Sequence, residues 1–428
     1  MSILGRIFLI VDLVVIGLGY VGLPLAREAV KAGLSVVGFD TNTELVTNLN
    51  SGKSHIDDLT NEDIQELLSL GFQTTSDESI IKQAEVAIIC VPTPLTLDGE
   101  PDLRFITSAT ESVARNLHQG MLVVLESTTY PGTTEELMQP ILEETSGLSA
   151  VDGFCLAFSP ERVDPGNLHY GIRNTPKVVG GITQHCTTRA AEFYEQFVTT
   201  VVQAKGVKEA ETAKLLENTY RHINIALVNE MARFCHELGI DLWDVIRLAS
   251  TKPFGFQAFY PGPGVGGHCI PIDPNYLSHQ VKTKLGRPFR FVELAQEINT
   301  TMPQYVTRRI QDILNNDELP VKESHILLLG ITYKNDISDQ RESPAVPLAH
   351  ALQALGAIVS YHDPNVAYWK HGGIDLTRVA DLDKAVMESD LVVLVQNHSS
   401  YNVKDLASKA HRLFDTRGVA SGPNVYRL

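Results

Sequence analysis

The stretch Val11-Asp-Leu-Val-Val-Ile-Gly17-Leu-Gly-Tyr-Val-Gly22 decides the fold. An apolar, β-branched run ends at a glycine, and the residues from Val21 to Ala32 then take up helical spacing, so a strand over Val11–Gly17 leads through a tight turn into a helix. Gly17 makes the turn, Gly19 leaves the backbone open to a pyrophosphate, and Gly22 lets helix and strand pack closely. Tyr20 and Val21 belong to the same turn. The next strand, Ser35–Asp40, ends in an acid eighteen residues past Gly22. A carboxylate there accepts hydrogen bonds from both ribose hydroxyls of NAD and repels the 2′-phosphate of NADP. The expected cofactor is NAD, held by Gly17, Gly19, Tyr20, Val21, Gly22 and Asp40.

Working outward, the same alternation continues. Glu85–Val91 (EVAIICV), Met121–Glu126 (MLVVLE) and Phe154–Phe158 (FCLAF) are expected as further strands, with helices over Asn61–Leu70 and Leu103–Leu117 between them, the pattern of a parallel α/β sheet. Thr93 and Thr128 follow strands at the carboxyl edge, where ligands bind in such folds. Each fits cofactor contact and simple strand capping equally well. No glycine or proline interrupts Lys208–Leu238, and Ala213, Leu216, Tyr220, Ile223, Leu227, Met231, Phe234 and Leu238 recur at helical spacing. One helix of about 45 Å is expected there, a spine and a candidate dimer surface. The last third restarts the opening theme: strand His325–Gly330, helix Ser343–Leu355, strand Ala357–Asp363, strand Asp390–Val395. The expected fold is α/β, with two Rossmann-like parallel-sheet domains (1–205 and 311–428) joined by the long central helix and a small helical middle domain (206–310).

The 428 residues exceed one ordinary core, and 43% hydrophobic with 20% charged residues is a globular balance. A net charge of −16 excludes a nucleic-acid partner of the ordinary basic kind. Five cysteines without CxxC spacing imply reduced thiols, a cytoplasmic setting and no metal site. Ile7–Leu25 has the apolar length of a leader, but Asp12 and the glycines at 17, 19 and 22 favour strand, turn and helix over secretion or a membrane anchor.

The chemistry is expected in Phe259-Tyr-Pro-Gly-Pro-Gly-Val-Gly-Gly-His-Cys-Ile-Pro-Ile-Asp273. Four glycines and two prolines precede Cys269, so the loop is neither core strand nor helix, and its amides are free to face a ligand. Cys90 and Cys155, in apolar runs, are packing residues by contrast. His268 fits a general base or, more simply, a packing role. On the long helix Lys214 and Asn218 stack at i,i+4 with Arg221 on the same side, which alone describes a solvated stripe as well as a site.

The ordered set GLGYVG, CVPTP, EST, SPERV, KLLENTYR, GGHC-x3-D and GITYK…DxRESP resembles the nucleotide-sugar 6-dehydrogenases from about Val11 onward. The resemblance implies Cys269 as nucleophile, Lys214 as catalytic lysine, Asn218 as its partner, and Asp273 and Glu161 as the acids of the site. It implies substrate contacts at Arg162, Val163, Arg221, Tyr260 and Gly266, a UDP-sugar contact at Lys334, and Arg341 reaching to the cofactor. NAD would then lie on the first domain, UDP on the last, and the protein would be a homodimer or higher homo-oligomer through the central helix.

The implied reaction is a four-electron oxidation of a sugar C6 alcohol to a carboxylate through a cysteine thiohemiacetal and thioester, serving polysaccharide precursors. SPERVDPG and FYPGPGVGGHC resemble the acetamido-sugar branch, and UDP-N-acetylglucosamine is expected ahead of UDP-N-acetylmannosamine or UDP-glucose. Lys252-Pro-Phe-Gly-Phe256 lacks the arginine many relatives offer there, a place Lys252 would have to fill. Two other classes compete: a two-electron β-hydroxyacid-type dehydrogenase, which has no use for Cys269, and a non-catalytic NAD- or UDP-sugar-binding regulator.

Overall fold

The structure, a computed structural model, describes residues 11–428 apart from 57, 95, 97–99, 164–166, 168, 268 and 269. By its contacts the chain divides into two compact units, Met1–Glu217 with Asn275–Leu285, and Asn218–Pro274 with Gly286–Leu428.

The first unit is built on an eight-stranded sheet. Its strands are β1 (Val11–Ile16), β2 (Val36–Phe39), β3 (Gln73–Thr75), β4 (Ala84–Ile89), β5 (Leu122–Leu125), β6 (Cys155–Phe158), β7 (Lys177–Gly181) and β8 (Val201–Gln203). Its helices are α1 (Gly22–Lys31), α2 (Thr43–Asn50), α3 (Asn61–Ser69), α4 (Arg104–Asn116), α5 (Gln139–Ser146) and α6 (Gln184–Tyr194). The order is β3-β2-β1-β4-β5-β6-β7-β8, and every pair is parallel except β6 with β7. Leu13 stands beside both Val36 and Val86. Both faces are covered, so these strands are near-continuous apolar runs. Leu13 and Val15 face a core with Leu23, Leu25 and Tyr194, whereas Val14 and Ile16 face one with Ile106 and Val113. The chain reverses its direction of strand addition between β1 and β4, the place where such sheets open a ligand crevice.

Helix α7 (Val207–Glu237) runs 31 residues, and the division between the units falls inside it. Gly239, at φ +68°, ends it by letting the Ile240 N–H reach back to the Cys235 carbonyl at 2.8 Å. After it come α8 (Leu242–Ala249), α9 (Asp273–Leu285), α10 (Arg290–Thr300) and α11 (Met302–Asn315). The second sheet holds β9 (His325–Leu329), β10 (Ile358–His362), β13 (Leu391–Leu394), β14 (Leu413–Asp415) and β15 (Val425–Arg427). Between them run α12 (Ala345–Ala354), a small hairpin β11 (Tyr368–Trp369) and β12 (Leu376–Thr377), α13 (Leu382–Glu388) and α14 (Val403–Lys409). This sheet is wholly parallel, in the order β10-β9-β13-β14-β15, again with a reversal beside its first strand. The expected α/β architecture of two Rossmann-like sheets and a long helix is the one observed. Among the described residues no helix is long and apolar enough to cross a membrane.

Candidate active site

The glycine-rich turn lies at the reversal between β1 and β4. Gly17 is at φ +91°, and a Cβ on it would meet the Cys90 carbonyl oxygen at 2.7 Å. A Cβ on Gly22 would lie 2.0 Å from the Gly17 oxygen, so neither position admits a side chain. Gly19 differs: nothing lies within 4 Å of its would-be Cβ, which leaves open space at the start of α1 for a diphosphate. Asp40 accepts from the Leu18 N–H at 3.0 Å through Oδ2 and from the Asn42 N–H at 2.9 Å through Oδ1. These bonds hold the carboxylate in place and leave each oxygen a second lone pair for a ribose hydroxyl. The turn and the acid fit NAD. Tyr20 is exposed and Val21, just before α1, is half-buried.

Lys214 is buried, with only 8% of its surface exposed, so it is no solvated stripe residue. Its Nζ donates to the Thr128 Oγ1 at 2.5 Å. The Thr128 hydroxyl is therefore engaged by the lysine, whereas Thr93 offers its carbonyl to the Tyr276 hydroxyl at 2.8 Å. One turn before Lys214 on α7, Glu211 accepts from the Gly132 N–H at 2.6 Å and from the Thr134 N–H and hydroxyl at 3.0 and 2.7 Å. Burial lifts its pKa to about 7 against the pull of those donors. Glu211 thus pins the loop that follows Thr128.

Glu161 follows β6. Its Oε1 accepts from the Val163 N–H at 2.5 Å and its Oε2 from the Lys177 ammonium at 3.3 Å. Burial alone would raise its pKa, but Lys177, the Val163 N–H and the charge of Lys214 bring it below the usual carboxylate range. Arg162 turns elsewhere, pairing with Glu217 at 2.7 Å and donating to the Pro176 carbonyl at 2.7 Å. Cys90 and Cys155 are buried, as packing thiols should be, and burial raises the Cys90 pKa.

In the second unit, Asn218 is also buried. Its Nδ2 donates to the carboxylate of Asp273, the first residue of α9, while its Oδ1 accepts from the Arg221 guanidinium. The amide is thereby satisfied at both ends and its orientation is fixed. The loop ahead of Asp273 owes its path to its glycines: a Cβ on Gly266 would strike the Glu342 carbonyl and the Tyr333 Cβ, each at 2.6 Å. The Gly267 N–H donates to the Arg341 carbonyl at 3.3 Å. Tyr260 is exposed and stacks on Trp243, with centroids 6.0 Å apart. The Arg341 guanidinium grips Asp339 at 2.7 Å, and the Lys334 carbonyl accepts from the Thr332 hydroxyl at 2.8 Å. Lys252 lies over the Phe254 ring at 5.1 Å. Cys269 and His268 lie outside the described residues.

Sequence reading missed Glu126, Lys177, Tyr194 and Glu211. Two signals were present. Glu126 closes an otherwise apolar strand run, and Lys177 opens another, so each places a charge next to a core without any local partner.

Comparison with known proteins gives a concordant picture. Residues 11–198 match the NAD binding domain, 208–301 the central domain and 327–422 the UDP binding domain of the UDP-glucose/GDP-mannose dehydrogenase family. The chain is 34% identical over 418 residues to UDP-N-acetyl-D-mannosamine dehydrogenase of Pyrococcus horikoshii, covering 96% of each. It is 34% identical over 421 residues to the protein of the same name from Yersinia pestis, covering 95% of this chain and 98% of that one. The solved structure of the P. horikoshii UDP-D-ManNAc dehydrogenase superposes with a TM-score of 0.88 at 32% identity, covering 97% of this chain and 98% of that one.

Proposed function

Because this chain belongs to the UDP-glucose/GDP-mannose dehydrogenase family, we propose that it oxidises the C6 hydroxyl of UDP-N-acetylmannosamine to the carboxylate. That it is an NAD-dependent oxidoreductase acting on a UDP-sugar follows from its NAD and UDP binding domains. The observation that carries the sugar is the match, across 96% of the chain, to a relative named for UDP-N-acetylmannosamine. This reading displaces UDP-N-acetylglucosamine, the sugar expected first from the sequence, to second rank ahead of UDP-glucose.

In the proposed division of labour, residues 1–205 hold NAD, 206–310 carry the lysine and the cysteine, and 311–428 hold UDP. NAD, when bound, would accept one hydride at each oxidation, so that two molecules of it are reduced per sugar. Lys214 as the neutral amine, or a water it positions, takes the C6 hydroxyl proton, and the ammonium, held by Thr128, then stabilises oxyanions as they form. The Cys269 thiolate adds to the aldehyde, giving a thiohemiacetal that a second oxidation converts to a thioester. Asn218 donates to the oxyanion from an amide held by Asp273 and Arg221. Glu161, held ionised, accepts the proton of the water that releases the acid. Arg162, Val163, Arg221, Tyr260, Gly266 and Lys334 are assigned to the UDP-sugar, and Arg341 to the cofactor.

A panel of UDP-sugars separates the readings. Two NADH per UDP-N-acetylmannosamine are expected, with slower or no turnover of UDP-N-acetylglucosamine and UDP-glucose. One NADH per sugar would instead fit a two-electron dehydrogenase, and none with any UDP-hexose a regulator.

The second proposal concerns assembly. Tyr220, Leu227 and Phe234 are seven residues apart on α7, share one face and are exposed, an apolar stripe of the kind two helices bury against each other. The proposed occupant is a second copy of this chain. Leu227→Arg is expected to convert a dimer to a monomer in light scattering, and a wild type that runs as a monomer would contradict the assignment.

A further inference from the structure

A second charged cluster stands behind Glu161, inside the first unit, and nothing in the proposed reaction uses it. Glu126 directly follows β5, Lys177 begins β7, and Tyr194 ends α6; they are 1%, 4% and 0% exposed. The Lys177 ammonium lies 2.9 Å from Glu126 Oε2 and 3.3 Å from Glu161 Oε2, and 5.3 Å from the centre of the Tyr194 ring. The Tyr194 hydroxyl donates to the other oxygen of Glu126.

Such a group is expensive to bury. An ammonium and two carboxylates without water lose solvation that only close, complete pairing restores. A fold needing only a packed interior at this place would do as well with apolar side chains of the same volume. The arrangement is also asymmetric. Glu126 is sealed in, bonded at both oxygens, and its pKa is raised by burial. Glu161 keeps 11% of its side chain exposed. One buried lysine is thus shared between a sealed carboxylate and one that reaches solvent.

We infer that Lys177 is a positioning residue, and that Glu126, by competing for its ammonium, sets how readily Glu161 takes a proton during hydrolysis of the thioester. This rests on the reading of Glu161 as the base. In the step it governs, water oxygen bonds to the thioester carbon, one water proton passes to Glu161, and the C–S bond breaks to return the Cys269 thiolate. Nothing is oxidised or reduced. The groups that bear on Glu161 are Lys177 on β7, Lys214 on α7, Glu126 after β5, and, through that cluster, Cys90 after β4 and Tyr194 on α6.

Two substitutions then act in opposite directions. Lys177→Met removes the cation from between two acids and raises the pKa of Glu161. Glu126→Gln removes the competing acid, gives Glu161 the whole ammonium, and lowers it. The measurement is the pH profile of acid release in single turnovers of the full-length enzyme, with NAD and the UDP-sugar that the panel identifies. The acidic limb is expected to move up by about 1 pH unit or more in Lys177→Met and down in Glu126→Gln. Lys177→Arg, which keeps the charge, should restore the wild-type limb.

Opposite shifts are not what a merely structural role produces, since that would lower the rate of both variants at every pH. If Lys177→Met does not fold, the near-isosteric Glu126→Gln decides: an unmoved limb, or one moved upward, overturns the proposal. Glu161→Gln separates the two readings. An intact acidic limb in Glu161→Gln means Glu161 is not the base. Loss of the limb there, with no shift in Glu126→Gln, overturns the positioning role alone.

Discussion

Cys269→Ala is expected to lower the rate of sugar-acid formation by about 10⁴-fold, with the folded protein and its NAD affinity unchanged. The reason lies in the carbon being oxidised. After the first oxidation C6 is an aldehyde, whose carbonyl has no leaving hydride adjacent to an oxyanion. Addition of a thiolate makes C6 tetrahedral again, with one hydrogen and one alkoxide, and only then is a second hydride transferable. Without sulfur the aldehyde waits for hydration, and it is free to leave. Quantifying NADH and product together checks this: the variant should give at most one NADH per sugar, and an aldehyde trapped by hydroxylamine. Cys269→Ser should behave similarly, because a hydroxyl is a far weaker nucleophile near neutral pH and its ester a poorer acyl donor to water. Acid released by Cys269→Ala at the wild-type rate would end the covalent scheme and leave hydration of the aldehyde as the route to the second oxidation.

The fold was legible because its signals are local. The strands expected from the sequence in the first unit are bounded within a residue or two by the ends of their apolar runs, as in Val36–Phe39 within Ser35–Asp40, whereas β3, β7 and β8 were not expected. Helix α7 follows from a span without glycine or proline. Asp40 could be placed because its distance from Gly22 is fixed by one helix and one turn.

Pairings across the sheet were not legible. Lys214 is spaced like a surface residue, yet it is buried and its hydrogen-bond partner Thr128 lies 86 residues away. Lys177 reaches Glu126 because β7 lies two strands from β5 and runs antiparallel to β6, and no local feature of KVVGG announces a reversal. The motif resemblance supplied Lys214 and Glu161, but not the acid and the lysine behind them. A charged residue at the end of a buried strand is the signal to weigh more heavily, since it must find a partner that sequence distance conceals. Strands β14 and β15, only three residues each, fell below any periodicity that could reveal them.

Lys214→Ala should lower kcat by about 10² to 10³-fold and leave a covalent sugar adduct on the protein at steady state. Two losses combine. The buried ammonium is the donor assigned to the oxyanions on either side of the thioester, and a donor of this kind, prepositioned away from bulk water, is worth a few powers of ten when removed. The same charge also helps keep Glu161 ionised, so the base for hydrolysis weakens as well. Hydrolysis should therefore suffer more than the oxidations before it, and intact-protein mass spectrometry of quenched turnovers should show the adduct. Thr128→Val tests the geometry behind this. It keeps the charge but removes the hydroxyl that Nζ grips at 2.5 Å, so the ammonium gains freedom to leave its position. A loss of about 10-fold is expected, smaller than for Lys214→Ala because the cation remains in the site. If Lys214→Ala turned over at the wild-type rate, or lost activity with no adduct and no surplus of NADH over acid, the lysine would not be acting where the thioester is made and broken.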